Sequence, residues 1–148
     1  MKYFAYGANM NFEQMRQRCP GAKFMSKTYL EDYRFVYDAE CDFWYICGNI
    51  IESEGDVVWG GLFDIHKKDL TSLDEYEKYK ERLYERREVI VKYKDSSEIK
   101  AIVYIRPNPI EDIPGEKYQS IVLQGAKDCG LPEEYIGHFL AKREVFKN

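Results

Sequence analysis

Apolar and polar residues alternate along much of this chain, and helical signals break the alternation in four stretches. Lys2 to Tyr6 is a short apolar run that predicts a strand. Asn11, with Gln14 three residues later, reads as a helix N-cap and its reciprocal partner. The helix it opens, near 11–19, ends at Pro20-Gly21. Residues 22–38 alternate in a broken way through Phe24, Tyr29, Tyr33, Phe35 and Tyr37, which predicts one long or bent strand. Tyr45–Ile51 and Val57–Ile65 read as two more strands, joined by the polar turn Glu52-Ser53-Glu54-Gly55-Asp56. From Lys67 to about Tyr79, Asp69 near the start and Leu70, Leu73 and Tyr76 at helical spacing predict a helix. Tyr84–Tyr93 and Ile99–Ile105 alternate as strands, hinged by Lys94-Asp95-Ser96-Ser97. Pro107, Pro109 and Pro114 punctuate a loop, a helix near 117–129 ends at Gly130, and Pro132 opens a last helix from Glu133.

Adjacent strands with inserted helices do not suit a doubly wound parallel sheet. The expected class is α+β, a small, mostly antiparallel β-barrel with peripheral helices. At 148 residues the chain is expected to form one domain over residues 1–148, long enough for a real core.

Composition narrows the function classes. The net charge is −4 and the two signs are interleaved, so there is no basic stripe for phosphates and no nucleic-acid partner is expected. Arg82, Arg86 and Arg87 are interrupted by Glu81, Glu85 and Glu88 and read as a solvated strand edge. Tyrosine is abundant, at 13 residues, which suits half-wet sheets and pocket walls where a buried ring keeps a hydrogen bond. Cys19, Cys41, Cys47 and Cys129 form no C-x-x-C pair and no metal spacing with His66 or His138, so no metal is expected. Lys2 is followed by too few apolar residues for a secretory signal, and no apolar run approaches a membrane span. The expectation is a cytoplasmic protein with four free thiols and no membrane partner, either a monomer or a homodimer.

Three segments carry candidate chemistry. Tyr6-Gly7-Ala8-Asn9-Met10 lies at a strand-to-helix turn, where glycine lets the backbone approach a ligand and first-turn amides face negative charge. His66, Leu70, Leu73 and Glu77 share one helix face, with Leu70 and Leu73 toward the core and Asp74 and Glu75 rotated away. Glu77 then sits at the margin of an apolar stripe. It is either paired with Lys80, Arg86 or Arg87, or at a helix end where the stripe has already reached solvent, or kept because a raised pKa is useful. Tyr118, Ile121, Val122, Gly125 and Cys129 share a face of the later helix, where Gly125 permits close approach of another element. Tyr118 either brings a phenol to a pocket edge or packs with its hydroxyl in water.

These segments resemble the gamma-glutamylcyclotransferases. The resemblance rests on Tyr6 to Met10, Val58-Trp59-Gly60-Gly61-Leu62-Phe63 and Leu73-Asp74-Glu75-Tyr76-Glu77. It continues through Tyr84-x-Arg86 running into Val89-x-Val91, and Gly125-Ala126-Lys127-x-x-Gly130-Leu131-Pro132 with Tyr135. Order and spacing agree over roughly residues 3–135. The resemblance implies a small α+β barrel without metal or organic cofactor. It also implies conversion of a gamma-glutamyl amide to 5-oxoproline and a free amine or amino acid. The family's essential glutamate falls on Glu77, its substrate-lining turn on Tyr6, Gly7, Ala8 and Asn9, and its pocket-bordering tyrosine on Tyr118. Two positions depart from the family pattern: Ala8 replaces the usual serine or threonine, and Lys78 replaces the glycine after the glutamate. Lys78 and the run Tyr79 to Leu83, read as a possible lid, are where substrate selectivity is expected. A binding module for gamma-glutamyl or amino-acid ligands remains the alternative.

Overall fold

The computed structural model describes residues 1–39, 46–77 and 84–144. Five strands close into a barrel: β1 (Lys2–Ala5), β2 (Lys23–Asp38), β3 (Cys47–Asp64), β4 (Glu85–Lys92) and β5 (Glu98–Ile105). Around the barrel the order is β1-β3-β2-β4-β5. Every neighbouring pair is antiparallel except β5 with β1, which close the barrel in parallel at Tyr3 and Ile102. The helices are α1 (Phe12–Arg18), α2 (Lys67–Tyr76), α3 (Glu116–Cys129) and the short α4 (Glu133–Tyr135). A π turn over Ile136–Leu140 extends α4. The expected α+β barrel with peripheral helices is the observed fold.

The predicted break at 52–56 is not a turn. β3 runs unbroken through it, pairing Glu52 with Tyr33 and Val57 with Glu31. The polar stretch is itself the irregularity: residues 53–56 of β3 stand opposite the single residue Asp32 of β2, a non-glycine residue at φ 65. The Asp32 carboxylate accepts the amide of Gly55, itself at φ 85, so local side-chain bonds carry the ribbon past residues that by composition look like a loop.

β1 is buried on both faces from Tyr3 to Ala5, with the turn after it packed back against it. Fully buried Phe4, Phe35, Ile50, Val58, Leu62, Val91 and Val103 fill the barrel. Close approach on the outside depends on missing side chains. A Cβ on Gly61 would lie 2.5 Å from Cys129 Sγ of α3, and one on Gly125 of α3 would lie 2.5 Å from the backbone nitrogen of Asn11. Gly125 therefore lets α3 rest on the backbone of residues 10–11, as its place in the apolar stripe predicted. Among the described residues no helix is long and apolar enough to cross a membrane.

Candidate active site

One cavity gathers the end of β1 and its turn, the C-terminal end of α2, the start of α3 and the first residues of β3. It encloses about 660 Å³ of non-atom space, mouth included. Tyr6, Gly7, Ala8, Asn9, Glu77 and Tyr118, the six residues singled out from sequence, all line it. The fold adds Tyr3, Arg18, Cys47, Gly48, Tyr76, Tyr84 and Tyr104.

The turn forms because Gly7 begins a short 3-10 segment, Ala8–Met10, closed by the amide of Met10 on the Gly7 carbonyl at 3.0 Å. Asn11 caps α1, accepting the amide of Gln14 at 3.1 Å. The reciprocal half of the predicted capping box is absent. The Asn11 amide goes to the Ala8 carbonyl, already part of the 3-10 turn, and the Gln14 side chain reaches Asn9 Oδ1 at 3.5 Å. Asn9 is buried and central: its side-chain amide donates to the Tyr3 hydroxyl at 2.9 Å, and Arg18 Nη1 donates to its carbonyl oxygen at 2.8 Å.

α2 presents Asp69 and Leu73 to the interior, with Leu70 only half-buried. The predicted Leu70–Leu73 face is thus rotated by about one residue. Asp69 causes the rotation: it turns inward and accepts the amide of His66 at 2.9 Å, tying down the start of the helix. Glu77 follows four residues after Leu73 as the helix cap, and its amide donates to the Leu73 carbonyl at 2.8 Å. Residue 77 keeps some exposed surface, yet burial of its carboxyl pushes the pKa up from 4.5 to about 7. The Arg18 guanidinium pulls it back down, but less strongly. The negative pole of α2 lies at the same place and disfavours the carboxylate too. Asp74 does not rotate away into water. It accepts the Tyr104 hydroxyl at 2.6 Å and lies 3.3 Å from Arg86 Nε, so Asp74 takes an arginine considered for Glu77. Lys78, Lys80 and the lid expected over 79–83 lie outside the described residues.

Burial holds the hydroxyls of Tyr3, Tyr6, Tyr84, Tyr104 and Tyr118 protonated far above neutrality, and the nearby charge of Glu77 adds to this in each case. The phenols are committed differently. Tyr6 donates to the Tyr104 carbonyl and Tyr84 to the Gly48 carbonyl at 2.8 Å, so these two serve as walls. The oxygen of Tyr118 accepts the Gly48 amide at 2.9 Å, and the Ala8 amide also favours its charged form. With amides on its oxygen, Tyr118 is set to act as a hydrogen-bond donor. The Ala8 amide, expected to face a ligand directly, is turned toward this phenol.

Arg18 was not predicted as a site residue. As the last residue of α1 it reads as a cation complementing the helix C-terminus, and only the tertiary fold stacks it on Tyr76 of α2, 4.3 Å from the ring centre. Cys47 and Gly48 lacked a signal for the same reason, since only the β3 register brings them to Tyr118 and Tyr84. The expectation of four free thiols is corrected for Cys47, which is disulfide-bonded. Cys19 and Cys129 are free and buried, with thiols pushed up to about 11 and about 12 by burial, and Cys41 lies outside the described residues. Among the described residues no group of three or more His, Cys, Asp or Glu is placed to hold a metal ion.

The chain is therefore an α+β closed-barrel protein with a small-ligand cavity that holds one carboxylate and one guanidinium. The model of the AIG2-like family matches residues 57–139. The chain is 35% identical over 138 residues to the gamma-glutamylcyclotransferases of Bos taurus and Homo sapiens, covering 90% of itself and 73% of each relative. A solved gamma-glutamyl cyclotransferase structure superposes with a TM-score of 0.90 at 32% identity, covering 99% of this chain and 89% of that one. The chain belongs to the gamma-glutamylcyclotransferase (AIG2-like) family.

Proposed function

We propose that this protein converts a gamma-glutamyl amide to 5-oxoproline and a free amine or amino acid, with Glu77 as general base and acid. The observation that carries the reading is the dry Glu77 carboxyl, poised near neutrality, in the same cavity as the Gly7–Asn9 turn and Tyr118. Sequence likeness to the curated cyclotransferases supports the same reading.

The reaction is an intramolecular acyl transfer. Glu77 takes one proton from the substrate's alpha-ammonium, and the amine so released attacks the gamma-carbonyl carbon. A C–N bond forms within the five-membered lactam as the C–N bond to the leaving group breaks. Glu77 returns the first proton to the departing nitrogen, then takes the second from the ring nitrogen, and the released amine carries that one away as an ammonium. Nucleophile and electrophile share one molecule, so the protein need not supply a covalent nucleophile. Holding the attack geometry is worth about 7–11 kcal/mol of barrier. A group with a pKa near 7 is well matched to accept and return a proton at neutral pH, work that typically adds about 10²–10⁴-fold. The Tyr118 hydroxyl, oriented beside Gly7 by the Gly48 and Ala8 amides on its oxygen, would donate to the alpha-carboxylate or the developing oxyanion.

A thiol nucleophile is disfavoured for Cys19 and Cys129, because burial keeps both protonated at neutral pH. The test is release of 5-oxoproline from gamma-glutamyl dipeptides, gamma-glutamylamines and glutathione by the purified protein. Glu77→Gln is expected to fold, bind substrate and lose at least about 10²-fold in turnover. Near-parental turnover in that variant removes Glu77 from the role. Binding without 5-oxoproline release by the parent protein instead favours a ligand-binding module.

A further inference from the structure

The cyclotransferase reading leaves open what recognises the substrate's charge. Resting on that reading, we propose that the Arg18 guanidinium anchors the alpha-carboxylate of the gamma-glutamyl unit, beside the Glu77 carboxyl that serves its alpha-amine.

Among the described lining residues, Arg18 is the one cation and Glu77 the one acid, set among neutral phenols, glycines, an amide and Cys47. A gamma-glutamyl unit presents the matching pair, an ammonium and a carboxylate on one carbon. Sites for the two must therefore be neighbours. They are: the guanidinium lies 4.3 Å over the ring of Tyr76, the residue preceding Glu77. The carboxylate of a leaving amino acid lies at the far end of the gamma-glutamyl side chain and beyond the scissile amide. It does not fit an anchor placed next to the base.

The guanidinium is also pre-set. Nη1 donates to Asn9 Oδ1 at 2.8 Å, and Asn9 is buried and held in turn by the Tyr3 hydroxyl at 2.9 Å. Stacking on Tyr76 fixes the plane, and Asn9 uses only part of the five-donor fork that can meet two carboxylate oxygens in parallel. None of the ion pairs among the described residues involves Arg18, whereas Arg34, Arg86, Arg87 and Arg106 each join one. A pinned arginine lining a cavity, with donors beyond the one Asn9 uses, is a receptor for an anion that arrives. With the alpha-carboxylate on Arg18, the Tyr118 hydroxyl is left to the gamma-carbonyl oxygen. The leaving group then needs no carboxylate, so amino acids and plain amines are both admissible.

Three probes test the assignment: gamma-glutamyl-alanine, its analogue with the alpha-carboxylate made a carboxamide, and its analogue amidated at the alanine carboxylate. For the parent protein, amidating the alpha-carboxylate is expected to lower kcat/KM by about 10²-fold, and amidating the alanine by less than about 3-fold. Arg18→Gln is expected to lose about 10²-fold with the first probe, mostly in KM, and to fall within about 3-fold of the parent on the alpha-carboxamide. Arg18→Lys keeps the charge but not the fork, and its preference for the alpha-carboxylate should shrink at least about 5-fold. Thermal melts followed by circular dichroism establish that the variants fold. If Arg18→Gln does not fold, the Arg18→Lys ratio decides. An undiminished preference for the alpha-carboxylate in a folded variant overturns the proposal, as does a preference for the alanine carboxylate that depends on Arg18. If neither these probes nor glutathione and gamma-glutamylamines yield a lactam, the cyclotransferase reading fails, and calorimetric binding of the same probes to parent and Arg18→Gln judges the anchor separately. A carboxylate preference lost in the variant upholds it, and its absence in the parent overturns it.

Discussion

The molecule holds two acid–arginine couples that differ in kind. Asp38 and Arg106 meet at the end of the long β2–β3 ribbon, whereas Glu77 and Arg18 share the cavity without an ion pair, and the guanidinium acts on the carboxyl only through its charge. Asp38 is wholly buried and fully answered. Oδ2 accepts Arg106 Nε at 2.7 Å and Asn49 Nδ2 at 3.1 Å, while Oδ1 accepts Arg106 Nη2 at 3.2 Å and the Ile110 amide at 3.1 Å. The couple ties β2, β3 and the segment after β5 together behind Gly48, whose amide and carbonyl hold Tyr118 and Tyr84. Glu77 is less deeply placed yet less well answered: its arginine is pinned to Asn9 and Tyr76, and burial dominates its ionisation. The lesson is that depth alone does not mark a working acid. A buried carboxylate with four donors is structure, whereas one dried without compensation is held ready to exchange a proton.

The comparison breaks most sharply at Asp38. Asp38→Ala leaves the largely buried guanidinium of Arg106 without its partner and should cost about 3–5 kcal/mol in denaturant unfolding. A loss below about 1 kcal/mol would mean that the couple is not the structural one. Tyr118→Phe carries the contrast to the phenols: turnover should fall about 10²-fold if its hydroxyl donates to the reacting oxygen. Unchanged kcat in that variant would leave Tyr118 a mere wall, like Tyr6.

Glu77→Gln sharpens the comparison through stability and pH. The folded-state pKa of about 7 lies above the ordinary 4.5, so the folded state binds more protons than the unfolded between those values. Stability contributed by the protonated acid is therefore complete below about pH 4.5 and is lost as pH rises toward 7. At pH 8 the Gln variant should be more stable than the parent by about 1–3 kcal/mol, an advantage that disappears at pH 4. Parental kcat/KM should rise along an acid limb centred near pH 7 as the base form of Glu77 appears. An equally stable or weaker variant at pH 8, by denaturant unfolding, contradicts the dry-acid picture. The smallest effect is expected at Tyr84→Phe, about 1 kcal/mol of stability and little of activity, since its hydroxyl is spent on the Gly48 carbonyl.

Much of this was legible in the chain. Alternation located β1, β2, β4 and β5, and caps located the helices: Asn11 does cap α1, and Gly130, at φ 72, does end α3. Short-range rules, i to i+4 on a helix and glycine at a strand-to-helix turn, made Glu77 and the Tyr6–Asn9 turn candidates, and the family resemblance singled them out. The failures were of another kind. The polar stretch 53–56 looked like a turn because composition cannot see that Asp32, some twenty residues earlier, is waiting to accept the Gly55 amide. Leu70 was placed inside because hydrophobicity ranks it above Asp69, whereas the inward turn of Asp69 follows from the bond it makes at His66.

Period, punctuation and charge balance, which depend on neighbours in the chain, settled the α+β barrel and the order of its elements, and left Glu77 a candidate that the family resemblance picked out. Distance in sequence settled nothing about Arg18, Gly48 or Tyr104, because their partners are Asn9 and Tyr76, Tyr118 and Tyr84, and Asp74. Most of those meetings are brought about by barrel closure and by α3 settling on the backbone at residues 10–11 through Gly125. Whether Glu77 is an ordinary surface carboxylate or a group titrating near 7 is likewise a property of that closure. Desolvation depends on everything that surrounds a charge, and local sequence supplies only part of that surrounding.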